Sequence, residues 1–106
     1  MATLDDFKKL NLRVGRIIDV QEHPNADKLY ILRVDMGDAP KQIVAGIRLH
    51  YQKEELMGKS CIVVDNLDPV TLRGVESHGM LLAAKDAQTL SLVTLEREVI
   101  PGSFVT

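Results

Sequence analysis

The apolar residues of this chain fall in runs too short for long helices, and each run ends at a turn-forming residue. Four prolines, Pro24, Pro40, Pro69 and Pro101, stand between the runs, and proline disrupts helix and sheet interiors alike. This punctuation predicts an all-β chain of short strands. In the first run, residues 12–20, period two puts Leu12, Val14, Ile18 and Val20 on one face. Gly15 is expected at a bulge or bend, and a register reset by such a bulge would accommodate Arg16. In the second run Tyr30, Leu32, Val34 and Met36 alternate with Ile31, Arg33 and Asp35. Gly37, Asp38, Ala39 and Pro40 form a turn into a third run, residues 42–45, closed by Gly46. Residues 52–58 suit one or two helical turns terminated by Gly58. The fourth run, residues 61–64, is continuous and β-branched, which predicts burial on both faces. Residues 65–79 read as a long turn-rich connection, and residues 80–84 and 90–95 as further strands.

Five strands with a short helix between the third and fourth is the order of an OB-fold, a small partly open Greek-key barrel, here with a small C-terminal extension. A β-sandwich has similar strand spacing but places no helix in that gap. The 106 residues make one domain, 1–106, and 45% hydrophobic with 26% charged is a globular composition. A lone cysteine, Cys61, excludes a disulfide framework and a multi-cysteine zinc site, and fits a reducing, cytoplasmic setting. The polar N-terminal segment predicts no signal peptide, and no apolar run is long enough to span a membrane.

Catalysis finds little support. His23, His50 and His78 lie far apart, outside the close spacings of zinc motifs, and read as surface or loop residues. No metal and no cofactor is expected. Ser77 and His78 are adjacent, but neighbours on a strand point to opposite sides, and the flanking residues miss the G-x-S-x-G elbow. The pairs Asp5-Asp6 and Glu54-Glu55 suit solvated or helix-capping positions better than acid–base work. The chain reads as a binding module, not an enzyme.

The charge, 13 Lys+Arg against 15 Asp+Glu, speaks against indiscriminate polyanion binding. An OB barrel, however, binds on the face of its second and third strands and the flanking loops. That face would bring Lys28, Arg33, Arg73 and Lys85 together from distant parts of the chain. The aromatic residues are only Phe7, Tyr30, Tyr51 and Phe104, too few for a general single-strand binder that stacks bases. A reader of folded RNA shape needs phosphate and 2′-hydroxyl contacts instead.

The segments His23-Pro24-Asn25-Ala26-Asp27-Lys28-Leu29, Asp65-Asn66-Leu67 and Gly74-Val75-Glu76-Ser77-His78-Gly79-Met80-Leu81-Leu82-Ala83-Ala84 together resemble the tRNA-binding domain family. So do Asp5-Asp6-Phe7, Leu12-Arg13-Val14-Gly15 and Val44-Ala45-Gly46-Ile47, and the likeness runs from about Asp5 to the C-terminus. This module occurs at the C-terminus of many methionyl-tRNA synthetases, in synthetase cofactors and as small free-standing proteins. The resemblance implies non-catalytic binding of tRNA by its folded shape, by a homodimer, with methionyl-tRNA synthetase as a possible partner. It also implies contact residues: Lys28 for a phosphate, Ser77 for a phosphate or ribose hydroxyl, and Met80 against a sugar or base face. Arg33, Asn66, Arg73 and Lys85 fall in or near matching segments and are implied secondarily. Asp68 and Val70 stand where lysine-rich relatives place bases. Rival expectations are a peptide-binding, export-chaperone-like relative and a structural dimerisation module. The N-terminal arm and residues 99–106 are candidate dimer surfaces by position.

Overall fold

The longest strand, β1 (Leu12–Glu22), is paired along both edges and forms the spine of the fold. In the computed structural model, which describes residues 1–106, the chain runs α1 (Leu4–Lys8), β1, β2 (Tyr30–Asp35), β3 (Pro40–Ala45), α2 (Lys53–Leu56) and β4 (Ser60–Val64). It continues through β5 (Val70–Leu72), β6 (Val75–Ser77), β7 (Met80–Leu81), β8 (Ala83–Lys85) and β9 (Leu90–Leu92). A curled antiparallel sheet has the order β3-β2-β1-β4-β7, while β5–β6 and β8–β9 are separate hairpins. The sheet curls until β3 meets the segment around β6. There the His78 N–H donates to the Gln42 carbonyl at 2.9 Å, and Gln42 Nε2 donates to the Glu76 carbonyl at 2.8 Å. This is the five-stranded, partly open Greek-key barrel of the OB type, with α2 between the third and fourth strands.

The phase of β1 differs from simple alternation. The register slips between Ile17 and Asp19, so the bulge sits at Ile18, not at Gly15. Ile17 is fully buried while Ile18 is 43% exposed, which reverses the expectation that Ile18 faces the core. Gly15 meets a different need: a Cβ there would collide with Val34 and crowd Met36 and Val63. The bare backbone lets three core side chains close over the strand. The main core gathers Ile17, Leu32, Val34, Ile43, Leu56 and Val63, with α2 contributing Leu56. Val14, Ile62 and Val64 are buried outside that cluster, so β4 is indeed covered on both faces. Cys61 is a core thiol, and burial pushes its pKa up to about 12, leaving it unreactive at neutral pH.

Three further expectations change. Residues 65–79 contain the β5–β6 hairpin and are not merely a connection. The run 80–84 splits at Leu82, because the chain leaves β4 as its partner and pairs next with β9. The last strand ends at Leu92. The acidic pairs cap helices as anticipated: Asp6 accepts from the Thr3 N–H at 3.0 Å, and Glu55 accepts from the Gln52 N–H at 2.7 Å. Gly58, at φ 80°, stands just beyond α2.

One charged cluster locks the barrel end. Arg13 donates to the Asp65 carboxylate at 2.9 Å and to the carbonyls of Gly102 and Met36, while Lys41 pairs with the same carboxylate. Burial alone would raise the Asp65 pKa, but the hydrogen bonds and charges of Lys41 and Arg13 outweigh it and hold the pKa below the usual 3.8. A depressed carboxylate stabilises the fold above its unfolded-state pKa, and that stabilisation is lost as pH falls toward the folded value. Asp65→Asn is expected to cost about 2–3 kcal/mol at pH 7, because two partly buried cations lose their partner. Urea unfolding should show that cost shrinking progressively below about pH 4. An equal cost at pH 7 and pH 3 would contradict this account.

Candidate nucleic-acid interface

The loop between β1 and β2 is built around its histidine. His23 is only 3% exposed, which corrects the expectation of three surface or loop histidines: it lies in a loop but not at the surface. Its Nδ1 accepts from the Asn25 N–H at 3.0 Å, so the ring proton resides on Nε2 and donates to the Leu72 carbonyl at 2.9 Å. Leu72 ends β5, so this ring ties the loop to the β5–β6 hairpin. A second tie runs from Arg73 Nε to the Asn25 carbonyl at 3.3 Å. Arg48 braces the loop from the other side: one terminal nitrogen reaches the carbonyls of Ala26 at 3.2 Å and His23 at 3.4 Å, and the other pairs with Glu22.

The hairpin turn explains how Arg73 is presented. Arg73 has φ 53° and Gly74 has φ 88°, the two left-handed positions of a two-residue type I′ turn. Arg73 is the sole non-glycine residue with positive φ in the chain, in a place where asparagine or glycine is the low-energy choice. The guanidinium therefore projects from the tip of a ribbon that is itself latched to the Lys28 loop.

Between β3, this hairpin and the connection after β4 lies a groove of about 330 Å³. Val44, Leu67, Val70, Leu72 and Met80 line it, with Asp68, Ser77 and Gly79. A smaller recess of about 220 Å³ continues it past Val44 and Met80 toward Gly46, Ala83 and Leu90. Ser77 closes the seam beneath: its buried Oγ accepts from the Val44 N–H at 2.9 Å and donates to the Gly79 carbonyl at 3.0 Å.

The residues singled out from the sequence divide accordingly. Met80 lines both recesses and is 49% exposed. Lys28 and Arg73 are exposed on the two latched loops, and neither lies within ion-pair distance of a carboxylate. Lys85 is exposed at the end of β8, next to a turn in which the backbone N–H groups of Gln88 and Thr89 hold the Asp86 pKa down. Arg33 is exposed on β2 opposite Gln42, whose side chain bridges to Glu76. Ser77 sits under the groove with its hydroxyl engaged on both sides. Asn66 lies apart: its side chain accepts from the Asn11 N–H at 2.8 Å and donates to the Lys9 carbonyl at 2.7 Å, tying down the N-terminal arm. Sequence reasoning missed Val44, Leu67, Val70 and Leu72 as groove walls. For Leu67, Val70 and Leu72 the signal was apolar residues recurring inside a segment read as a turn-rich connection, whereas Val44 lies in a run already read as a strand.

Comparison with known proteins follows this geometry. The family model for the tRNA binding domain matches residues 12–104. Methionine–tRNA ligase of Pyrococcus horikoshii is 54% identical over 101 residues, covering 95% of this chain and 14% of the ligase. The corresponding ligase of Thermotoga maritima is 49% identical over 104 residues, 98% of this chain and 16% of the ligase. The chain thus spans only a small part of the curated relatives it matches. Among solved structures, a MetRS-related protein from Pyrococcus horikoshii superposes with a TM-score of 0.93 at 36% identity, covering 100% of this chain and 98% of that one. The CsaA chaperone protein from Picrophilus torridus superposes with a TM-score of 0.92 at 32% identity, covering 100% of both chains.

The latch generates a local expectation. His23→Ala removes the donor to Leu72 and the acceptor for Asn25, so the β5–β6 hairpin should open more often. Amide exchange at the hairpin should rise about tenfold or more while the amides between β1 and β4 keep their protection. Uniform loss of protection across the barrel would show that His23 supports the whole fold.

Proposed function

The chain belongs to the tRNA-binding domain family, and from that membership we propose that it binds folded tRNA by shape and phosphate contacts without catalysing a reaction. The observation that carries this reading is the latch. His23 and Arg73 tie the β1–β2 loop to the β5–β6 hairpin, so the unpaired cations Lys28 and Arg73 stand on two joined loops, and Arg73 directly follows Leu72 of the apolar groove wall. Each neutralises a phosphate, releasing about one counterion per contact, while Met80 packs on a sugar or base face. Lys85 and Arg33 extend the contact along the same barrel face. Ser77 acts from below by holding the groove floor, and a direct Ser77–RNA hydrogen bond would require one of its internal bonds to yield.

The setting we propose is cytoplasmic translation. The module works either as a free accessory factor or as a β-subunit-like part of methionyl-tRNA synthetase, raising the local tRNA concentration for an enzyme. A homodimer suits a chain of net charge −2, because a modest patch is doubled across the two copies. For the dimer surface we propose the N-terminal arm together with the C-terminal segment. Leu4, Phe7, Leu10 and Phe104 form one apolar recess of about 300 Å³ there, and Phe104 is 66% exposed. A peptide-binding, chaperone-like role is the second reading, favoured by the similarity to the CsaA chaperones and by the apolar groove itself.

Titration with tRNA and with an unstructured RNA of equal length separates these readings. The expected result is preference for tRNA, with affinity falling as salt rises at a log–log slope of about two to four. Lys28→Ala and Met80→Ala should each weaken binding several-fold at unchanged melting temperature. Arg73→Asn should move the two readouts apart, holding or raising stability because asparagine suits the type I′ turn, yet weakening binding. Equal affinity for both RNAs, or none, would remove the proposal, and tight binding of unfolded peptide in its place would favour the chaperone-like role. Sedimentation should report a dimer that Phe104→Asp converts to monomer, and a monomeric parent chain would refute the shared surface.

A further inference from the structure

We propose that the groove beside Met80 receives one unstacked guanine of the bound RNA, with Asp68 reading its Watson–Crick edge. This rests on the tRNA-binding reading above and deepens it from shape recognition to recognition of a base.

Asp68 lines the groove, is exposed, and makes no hydrogen bond or ion pair through its side chain. Ser77, the other polar side chain of the lining, has its hydroxyl engaged with Val44 and Gly79. Asp68 is therefore the uncommitted polar group in a recess otherwise walled by Val44, Leu67, Val70, Leu72 and Met80. An ionised carboxylate only accepts hydrogen bonds and repels phosphate, so the RNA backbone cannot occupy this point. The backbone belongs instead with the unpaired cations Lys28 and Arg73 on the two latched loops, Arg73 directly following Leu72 of the groove wall, which leaves a base to enter the groove.

The chemistry of the acceptor then selects the base. A carboxylate binds best to two parallel N–H donors. Guanine offers them side by side, at the ring N1–H and the N2 amino group. Adenine and cytosine each present one amino donor beside an acceptor nitrogen, and uracil presents a single N–H between two carbonyls. The apolar walls cover the ring faces without distinguishing bases, so discrimination falls to Asp68. A paired guanine has this edge occupied, so the target is an unpaired base splayed out of a loop, the usual object of sequence-specific reading in RNA. The groove volume, about 330 Å³, lies at the small end of ligand pockets and suits one ring system.

The sign of one substitution tests this. Removing a carboxylate from a polyanion-binding face should strengthen binding if only charge matters. Asp68→Asn is expected instead to weaken tRNA binding about tenfold, the discrimination of a bidentate base contact. Glu54→Gln, on α2 and outside the groove, serves as the control and should leave binding unchanged or slightly tighter. In a second arm, a synthetic tRNA carries inosine at its loop guanosines and so lacks the N2 amino group. The parent chain should lose about tenfold on this RNA, and Asp68→Asn should not distinguish the two RNAs. Equal or tighter binding by Asp68→Asn, or indifference of the parent chain to inosine, would overturn the guanine site while leaving tRNA preference standing. A lysine-containing peptide that displaced tRNA from the parent chain but not from Asp68→Asn would reassign the groove to peptide. Absence of tRNA preference in the parent chain would remove both this inference and the reading on which it rests.

Discussion

The Asp65 carboxylate is the point on which the rest of the molecule hangs. It lies where β4 ends, and it is held from β1 by Arg13 and from β3 by Lys41. Arg13 also reaches the carbonyls of Met36 and Gly102, and its guanidinium lies 5.6 Å from the Phe104 ring centre. The last residues of the chain thereby become an edge partner of β1, with Gly102 N–H donating to the Val14 carbonyl at 2.7 Å. From this anchor the backbone leaves through Asn66, Leu67 and Asp68. Asn66 turns back to the N-terminal arm, while Leu67 and Asp68 line the groove. A single ion cluster thus secures both the barrel end and the start of the groove wall.

From that start, hydrogen bonds rather than large apolar area position the interface. Gln42, Ser77 and His78 join β3 to the returning chain, and His23 and Arg73 join the two loops above. The arrangement leaves a groove with apolar walls on a chain of net charge −2. Charge balance over the whole molecule therefore says little about the face. What counts is pairing: Arg13, Lys41, Arg48 and Lys53 are committed to carboxylates of the fold, Asp65 or Glu22, whereas Lys28, Arg33, Arg73 and Lys85 are not. Asp65 and Glu22 anchor the committed cations, and the uncommitted ones are exposed.

The strand-rich class, the placement of α2 and the burial of residues 61–64 were legible because each depends on local period, turn chemistry or a continuous apolar run. The phase of β1 was not legible. Val14 and Ile18 fit an alternating pattern, but Val14 is buried outside the main core and Ile18 is exposed, while the bulge at Ile18 and the tight crossing at Gly15 bring Ile17 and the bare Gly15 backbone to that core. The β5–β6 hairpin was missed for a related reason. Its strands are three residues each, and its turn places an arginine where asparagine or glycine would have announced it.

By itself the sequence determined a barrel of short strands, because proline and glycine cut the apolar runs before any long helix can form. It also determined which side chains could meet a phosphate. Tertiary structure alone decided how they are used. Asn66 and Ser77 are spent on internal hydrogen bonds, His23 is a buried clasp, and Asp68 stands free in the groove. The physical reason is that hydrogen bonding and ion pairing are set by neighbours in space. In this barrel those neighbours are up to 89 residues away along the chain, as between Arg13 and Gly102, a distance no local pattern can span.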